Sequence, residues 1–245
     1  IGASAVGILS SHGVDSALVH FLVAVGASAA FALVTGAISL RTKGVYFIMI
    51  TLAFGQMAFF LATSLSAYGG DDGLTLSSKS GILGTPIFGS DRSAYYMVLA
   101  VLVGAYLLCR SLVVSRFGRV LRGTKENAVR MQAMGYSPFR FQLAAYVIAG
   151  TLCGLAGFLL ANLTDFVSPA YMTWQRSGEL IIMVILGGMG TLHGAIVGAA
   201  AFVILEEVLS QVTEHWKMIF GPLLVLVVLF ARGGILGLLR GGRSG

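Results

Sequence analysis

The sequence predicts an all-α polytopic membrane protein, a bundle of about seven to eight transmembrane or partly embedded helices with one short helix in a cytoplasmic loop. Three observations predict it. Of its 245 residues, 57% are hydrophobic and 11% charged, whereas a globular domain carries about a quarter charged residues. Mean hydropathy is +0.90, and apolar runs long enough for a bilayer core recur from end to end. The Lys and Arg residues gather between these runs. In lipid a helix satisfies its own backbone hydrogen bonds, so long uncharged runs of this kind fold as helices.

The elements follow in order. Ile1–Leu9 is apolar or small but too short for a span of about 20 residues. It reads as the end of a span begun upstream, the chain starting partway through a longer one, or as a short embedded helix. No charged segment precedes it, and it does not read as a signal peptide. Ala17–Leu40, Gly44–Leu65, Ala94–Val114 and Phe139–Asn162 are runs of spanning length. Gly178–Leu186 is apolar apart from Glu179 but short. The glycine-rich stretch Gly187–Gly194 interrupts it, Ala195–Leu209 resumes, and Met218–Arg232 closes the set. Gly178–Leu186 and Ala195–Leu209 are read as two separate crossings in preference to one broken helix.

Sorting alternate loops to one side gathers twelve of the 16 Lys and Arg residues. These are Arg41 and Lys43, the seven from Arg110 to Arg140, and Arg232, Arg240 and Arg243. The other side holds nine of the ten acidic residues. The excess of positive charge places the first set, and the C-terminus, in the cytoplasm. A net charge of +6 does not mark a nucleic-acid binder, because the basic residues lie between apolar spans. Cys109 and Cys153 sit in apolar runs and read as small hydrophobes.

The basic loop has a pattern beyond its charge. In "RFGRVLRGTKENAVRMQAMGYSPFRFQ", Arg116 to Gln142, Thr124 reads as an N-cap and Lys125–Met134 as a helix. Gly135 stands where a glycine ends such a helix, and Ser137 with Pro138 opens the next span. Ala128, Met131, Met134 and Gly135 form one small apolar strip. Such a helix lies on headgroups, packs beneath its own bundle, or docks in a groove of another protein.

"TKENAVRMQAMGYSPFRFQ" resembles the Glu-Ala-Ala loop of ABC-importer permeases. Glu126, Ala128 and Gly135 match its Glu, second Ala and Gly, while Asn127 replaces the first Ala. "GVYFIMITLAFGQM" (Gly44–Met57), "YGGDDGL" (Tyr68–Leu74) and "LIIMVILGGMGTLHGAIVGAA" (Leu180–Ala200) follow the order found in permeases of the branched-chain amino acid importers, specifically the M-type member of a heterodimeric pair. The resemblance runs from Gly2 to Leu209. It implies one transmembrane permease domain over 1–245, with a coupling loop at 115–137, in a bacterial inner membrane. It also implies a second, paralogous permease, two ATP-binding subunits and an extracytoplasmic solute-binding protein. ATP and Mg would be held by the ATPases, with no cofactor on this chain. The coupling residues would be Thr124, Glu126, Ala128, Met131, Met134 and Gly135. Urea, short amides and small carboxylates remain open as solutes. A standalone channel or secondary carrier is the competing class, disfavoured because no full charge lies deep in a span.

Other residues carry two readings each. "GGMGTLHGAIVG" lacks the Lys-Ser/Thr of a phosphate loop, and no strand precedes it. Gly150-x-x-x-Gly154 and Gly194-x-x-x-Gly198 predict close helix packing. Alternatively, Gly187, Gly188 and Gly190 break a helix beside the solute path. Thr51 and Gln56 bond between helices or line that path. Asp71 and Asp72 form a solvated acidic turn or help seat a binding protein. No nucleophile is paired with a base and no metal-ligand spacing exists, so no catalysis is expected.

Overall fold

A computed structural model of the chain describes residues 1–13, 16–65, 68–75, 91–188, 190–212, 218 and 221–222. The expected span Met218–Arg232 falls almost wholly outside them, as do Lys79 and the C-terminal arginines. Two compact units divide the chain at Thr173.

The first unit holds α1 (Gly2–Ser11), α2 (Ala17–Ser39), α3 (Val45–Ser64), α4 (Asp91–Val114), α5 (Arg116–Glu126), α6 (Ala128–Ala133) and α7 (Pro138–Thr164), with two-residue strands β1 (Leu74–Thr75) and β2 (Phe166–Val167). Helices α2, α3, α4 and α7 are long and apolar enough to cross a membrane, and their bounds match the apolar runs within a few residues.

Helices α2 and α7 pack antiparallel along a seam of small residues. Ala24, Ser28, Ala32 and Gly36 recur every fourth position on α2. A methyl group at Gly150 would lie 2.5 Å from the Ala32 Cβ, and one at Gly36 would lie 2.7 Å from the Tyr146 ring. At Gly154 it would collide with Ser28. α1 rests on the same seam through Gly2 against Gly154, and Gly157 sits beneath the start of α1. Val6, Ala24, Ala94, Phe158, Ala161 and Val167 form the buried cluster beside it. Lipid tails are as apolar as these side chains, so the association is held by dispersion at close range rather than by escape from water.

α3 differs: none of its side chains is buried. Near its start Phe47 meets Tyr146 edge-on, with ring centroids 6.4 Å apart. At its other end the chain turns through Gly69, Gly70 and Gly73, all at positive φ (86°, 47° and 80°). β1 then pairs antiparallel with β2, Leu74 opposite Val167 and Thr75 opposite Phe166. Gly73 is obligatory for a second reason, because a Cβ there would lie 2.6 Å from the Val167 carbonyl oxygen and 2.7 Å from the Phe166 ring. The ribbon was not foreseen, since strands of two residues leave no periodicity to read.

The second unit is a hairpin of α8 (Trp174–Gly187) and α9 (Leu192–Val212). Gly188 and Gly190 turn the chain at φ 110° and 94°, and the Thr191 Oγ1 accepts from the Gly194 N–H at 3.2 Å. Gly187 lies against Gly194 and Gly198, while Leu186 and Phe202 are the buried centre. These are two separate antiparallel helices, not one broken helix; α9 is long and apolar enough to cross a membrane, and α8 is shorter than a span. The 14 residues of α8 reach about 21 Å at 1.5 Å per residue.

Candidate functional site

The loop after α4 is built as three joints. The first is the α4–α5 elbow. Ser115 leaves the helix and spends its hydroxyl on the Leu112 carbonyl, at 2.7 Å. The Arg122 Nη2 donates to the Val113 carbonyl at 3.1 Å, and its Nε reaches the Gly118 carbonyl at 3.4 Å. Gly118 lies directly on the last carbonyls of α4, where a Cβ would come within 2.6 Å of the Leu112 oxygen.

The second joint corrects the sequence reading. Lys125–Met134 is not one helix, and Thr124 is not its N-cap. Thr124 is buried inside α5, with its hydroxyl donating to the Val120 carbonyl at 2.8 Å. With α5 already wound from Arg116, Thr124 has no free N–H groups ahead of it to cap. The chain extends at Asn127 (φ −154°, ψ 99°), whose Oδ1 accepts from the Arg130 N–H at 2.9 Å. Asn127 is the N-cap, and the residue that departs from the Glu-Ala-Ala pattern is thereby accounted for. The signal was present: Asn caps at least as well as Thr.

The third joint agrees with expectation. Gly135, at φ 83°, ends α6. Its N–H bonds the Gln132 carbonyl at 2.9 Å and the Tyr136 N–H bonds the Met131 carbonyl at 3.1 Å, the double closure of a Schellman motif. Ser137 and Pro138 then open α7 at N-cap and N1.

The expected apolar strip splits between two faces. Met131 is buried at 7% exposure, and a methyl group at Gly123 would lie 2.7 Å from its sulfur. It seats α6 on α5. Ala128 is half-buried. Met134 is 57% exposed and Val129, absent from the sequence-level set, is 74% exposed. Glu126 is exposed at the end of α5. Phe117 rests on Phe141, centroids 5.7 Å apart, tying α5 to the start of α7.

Gly36 against Leu143, Phe47 against Tyr146 and Phe117 against Phe141 put the end of α2, the start of α3 and the start of α7 at one end of the unit. Arg41, Lys43 and the basic residues from Arg110 to Arg140 share that end. Asp72 and Asp165 lie at the opposite end, by the ribbon.

The remaining candidates are not brought together with the loop. Thr51 turns its hydroxyl back to the Phe47 and Ile48 carbonyls, at 3.0 and 2.9 Å. Gln56 is half-exposed on α3. Gly187 is a packing residue of the α8–α9 hairpin; Gly188 and Gly190 belong to its turn. Asp71 and Asp72 occupy the 3-10 turn Gly70–Asp72, the turn expected for them. Near it a cavity of about 60 Å³ is lined by Ile8, Ala62, Leu65, Tyr68, Leu74 and Val167 among others.

Spanning helices with small-residue seams and a capped helix in a basic loop define a polytopic α-helical membrane protein. The chain belongs to the family described as branched-chain amino acid transport system / permease component, whose model matches residues 1–229. It is 27% identical over 236 residues to the high-affinity branched-chain amino acid transport system permease protein LivM of Salmonella typhimurium, covering 87% of this chain and 56% of that one. The LivM protein of Escherichia coli is 28% identical, over 82% of this chain and 53% of its own. A probable LivH permease of Methanocaldococcus jannaschii is 30% identical over 56% of this chain and 43% of its own. The chain thus spans about half the length of the LivM relatives it matches. No solved structure matches it.

Proposed function

We propose that this chain is the M-type permease subunit of an ABC importer for branched-chain amino acids. It lies in a bacterial inner membrane with its basic loop and C-terminus in the cytoplasm. It pairs with a paralogous H-type permease and receives solute from an extracytoplasmic binding protein, with Asp71 and Asp72 near that docking face. Two ATPases beneath it bind ATP and Mg; this chain holds no cofactor and hydrolyses nothing. α6 is the coupling helix. The observation that carries the reading is the build of α6: a six-residue helix, closed at both ends and seated by Met131, that leaves Val129 and Met134 facing outward. An exposed Met and Val on a rigid short helix suit a groove on a partner that moves.

The test follows from which residues face out. Val129→Asp places a charge in the proposed contact without touching the fold. ATPase subunits should co-purify with the variant at least about tenfold less, the loss expected when a charge enters a desolvated contact. Undiminished co-purification and uptake would sink the reading. Met131 is the wrong probe, because Met131→Arg would unseat α6 from α5. For the solute, the associated binding protein should be stabilised in a thermal-shift screen by leucine, isoleucine or valine. Stabilisation by urea, a short amide or a small carboxylate alone would move the solute assignment within the same permease class.

A further inference from the structure

The Arg122 side chain has no part in the contact just proposed, yet it makes the longest-range bond in the basic loop. Of the four carbonyls in the last turn of α4, those of Ser111, Leu112 and Val113 each accept from a donor in the elbow. Ser111 accepts from the Ser115 N–H at 3.0 Å and Leu112 from the Ser115 hydroxyl at 2.7 Å. Val113 accepts from the Arg122 Nη2, nine residues on, at 3.1 Å. The second bond, from Nε to Gly118, fixes the plane of the guanidinium. A cation also suits the negative end of the α4 dipole. Gly118 lets the first turn of α5 lie on these carbonyls without an intervening side chain. Further along, Gly123 receives Met131, so α5 is gripped by α4 at one end and by α6 at the other.

Resting on the coupling reading above, we propose that Arg122 is a positioning residue that locks α4 and α5 into one rigid elbow. A displacement of α6 then reaches the α4 span through α5, as well as the α7 span through the Gly135–Pro138 junction. Without the clamp, only α7 would follow. Arg122 is exposed and belongs to neither buried cluster, so variants there should fold and insert.

The experiment uses the full importer in nanodiscs and proteoliposomes, with Cys109→Ser and Cys153→Ser removing the native thiols. Spin labels at Ser111→Cys and Gln132→Cys, both exposed positions, report the distance from α4 to α6. That distance should be narrowly distributed and the same with and without ATP. Arg122→Ala should broaden it, and solute moved per ATP hydrolysed should fall about fivefold while hydrolysis continues, the size of a modest coupling free energy. Arg122→Lys should restore much of the ratio, because an ammonium reaches the same carbonyl. Gly118→Ala, which wedges a methyl group into the elbow, should reproduce the uncoupling. An unchanged distance distribution in Arg122→Ala overturns the clamp, and a broadened distribution with an unchanged solute-to-ATP ratio overturns its role in transmission. ATPase binding that survives Val129→Asp counts against the docking reading alone, since the label distance is read whether or not α6 meets an ATPase.

Discussion

At the scale of the residue, chemistry that only one or two side chains can supply was the most legible. Gly135 could be read as a helix end because a left-handed residue there excludes almost everything but glycine. The glycines of "YGGDDGL" announced a turn for the same reason. Thr124 and Asn127 both suit an N-cap by residue type and lie three positions apart. What decides between them is whether the preceding residues are already helical, and that depends on how α5 packs through Gly118, Val120 and Phe117. Asn127 is therefore a test of the corrected reading. Asn127→Ala should weaken α6 by about 1 kcal/mol, seen as roughly fivefold faster amide hydrogen exchange across Arg130–Met134, the amides bonded within it. Asn127→Asp should leave it near wild type, while Thr124→Ala should not expose α6 selectively.

At the scale of the element, apolar length located α2, α3, α4 and α7, and the small-residue spacings predicted close approach. Sequence could not say which surfaces met, because a Gly-x-x-x-Gly face carries no label for its partner. Gly150 and Gly154 meet α2 and the start of α1; Gly194 and Gly198 meet Gly187 on the neighbouring α8. The two seams make a shared prediction. Gly198→Leu would drive a side chain into the Met183 carbonyl and the Gly187 backbone, whose nitrogen lies 2.6 Å from a Cβ there. Overpacking of this kind lowers stability by about 1–3 kcal/mol, measurable as an earlier unfolding midpoint in a denaturing-detergent titration. Gly26→Leu has open space around it and should shift that midpoint little, although it too adds a bulky side chain to a spanning helix. α3 falls outside this logic. With no side chain buried in this chain, its apolar surface needs only lipid or a second subunit.

At the scale of the molecule, charge and geometry divide the first unit in the same way by independent routes. Counting basic residues by loop is a statement about sequence. The contacts of Gly36, Phe47 and Phe117 with the first turns of α7 are a statement about packing, and they draw the same loops to one end. The β1–β2 ribbon does the converse, holding the opposite ends of α3 and α7 together at the face with Asp72 and Asp165. An inverted topology would therefore have to place the whole arginine-rich end outside, against the bias that orients membrane proteins. In a background without Cys109 and Cys153, Gln132→Cys should react with an impermeant maleimide only after the cytoplasmic face is opened, and Thr75→Cys should react in intact cells. Both positions are exposed, so accessibility is governed by the membrane and not by the fold. Labelling of Gln132→Cys from outside would invert the protein and remove α6 from the reach of any cytoplasmic motor. The Arg122 elbow would then be a rigid corner with nothing to push it.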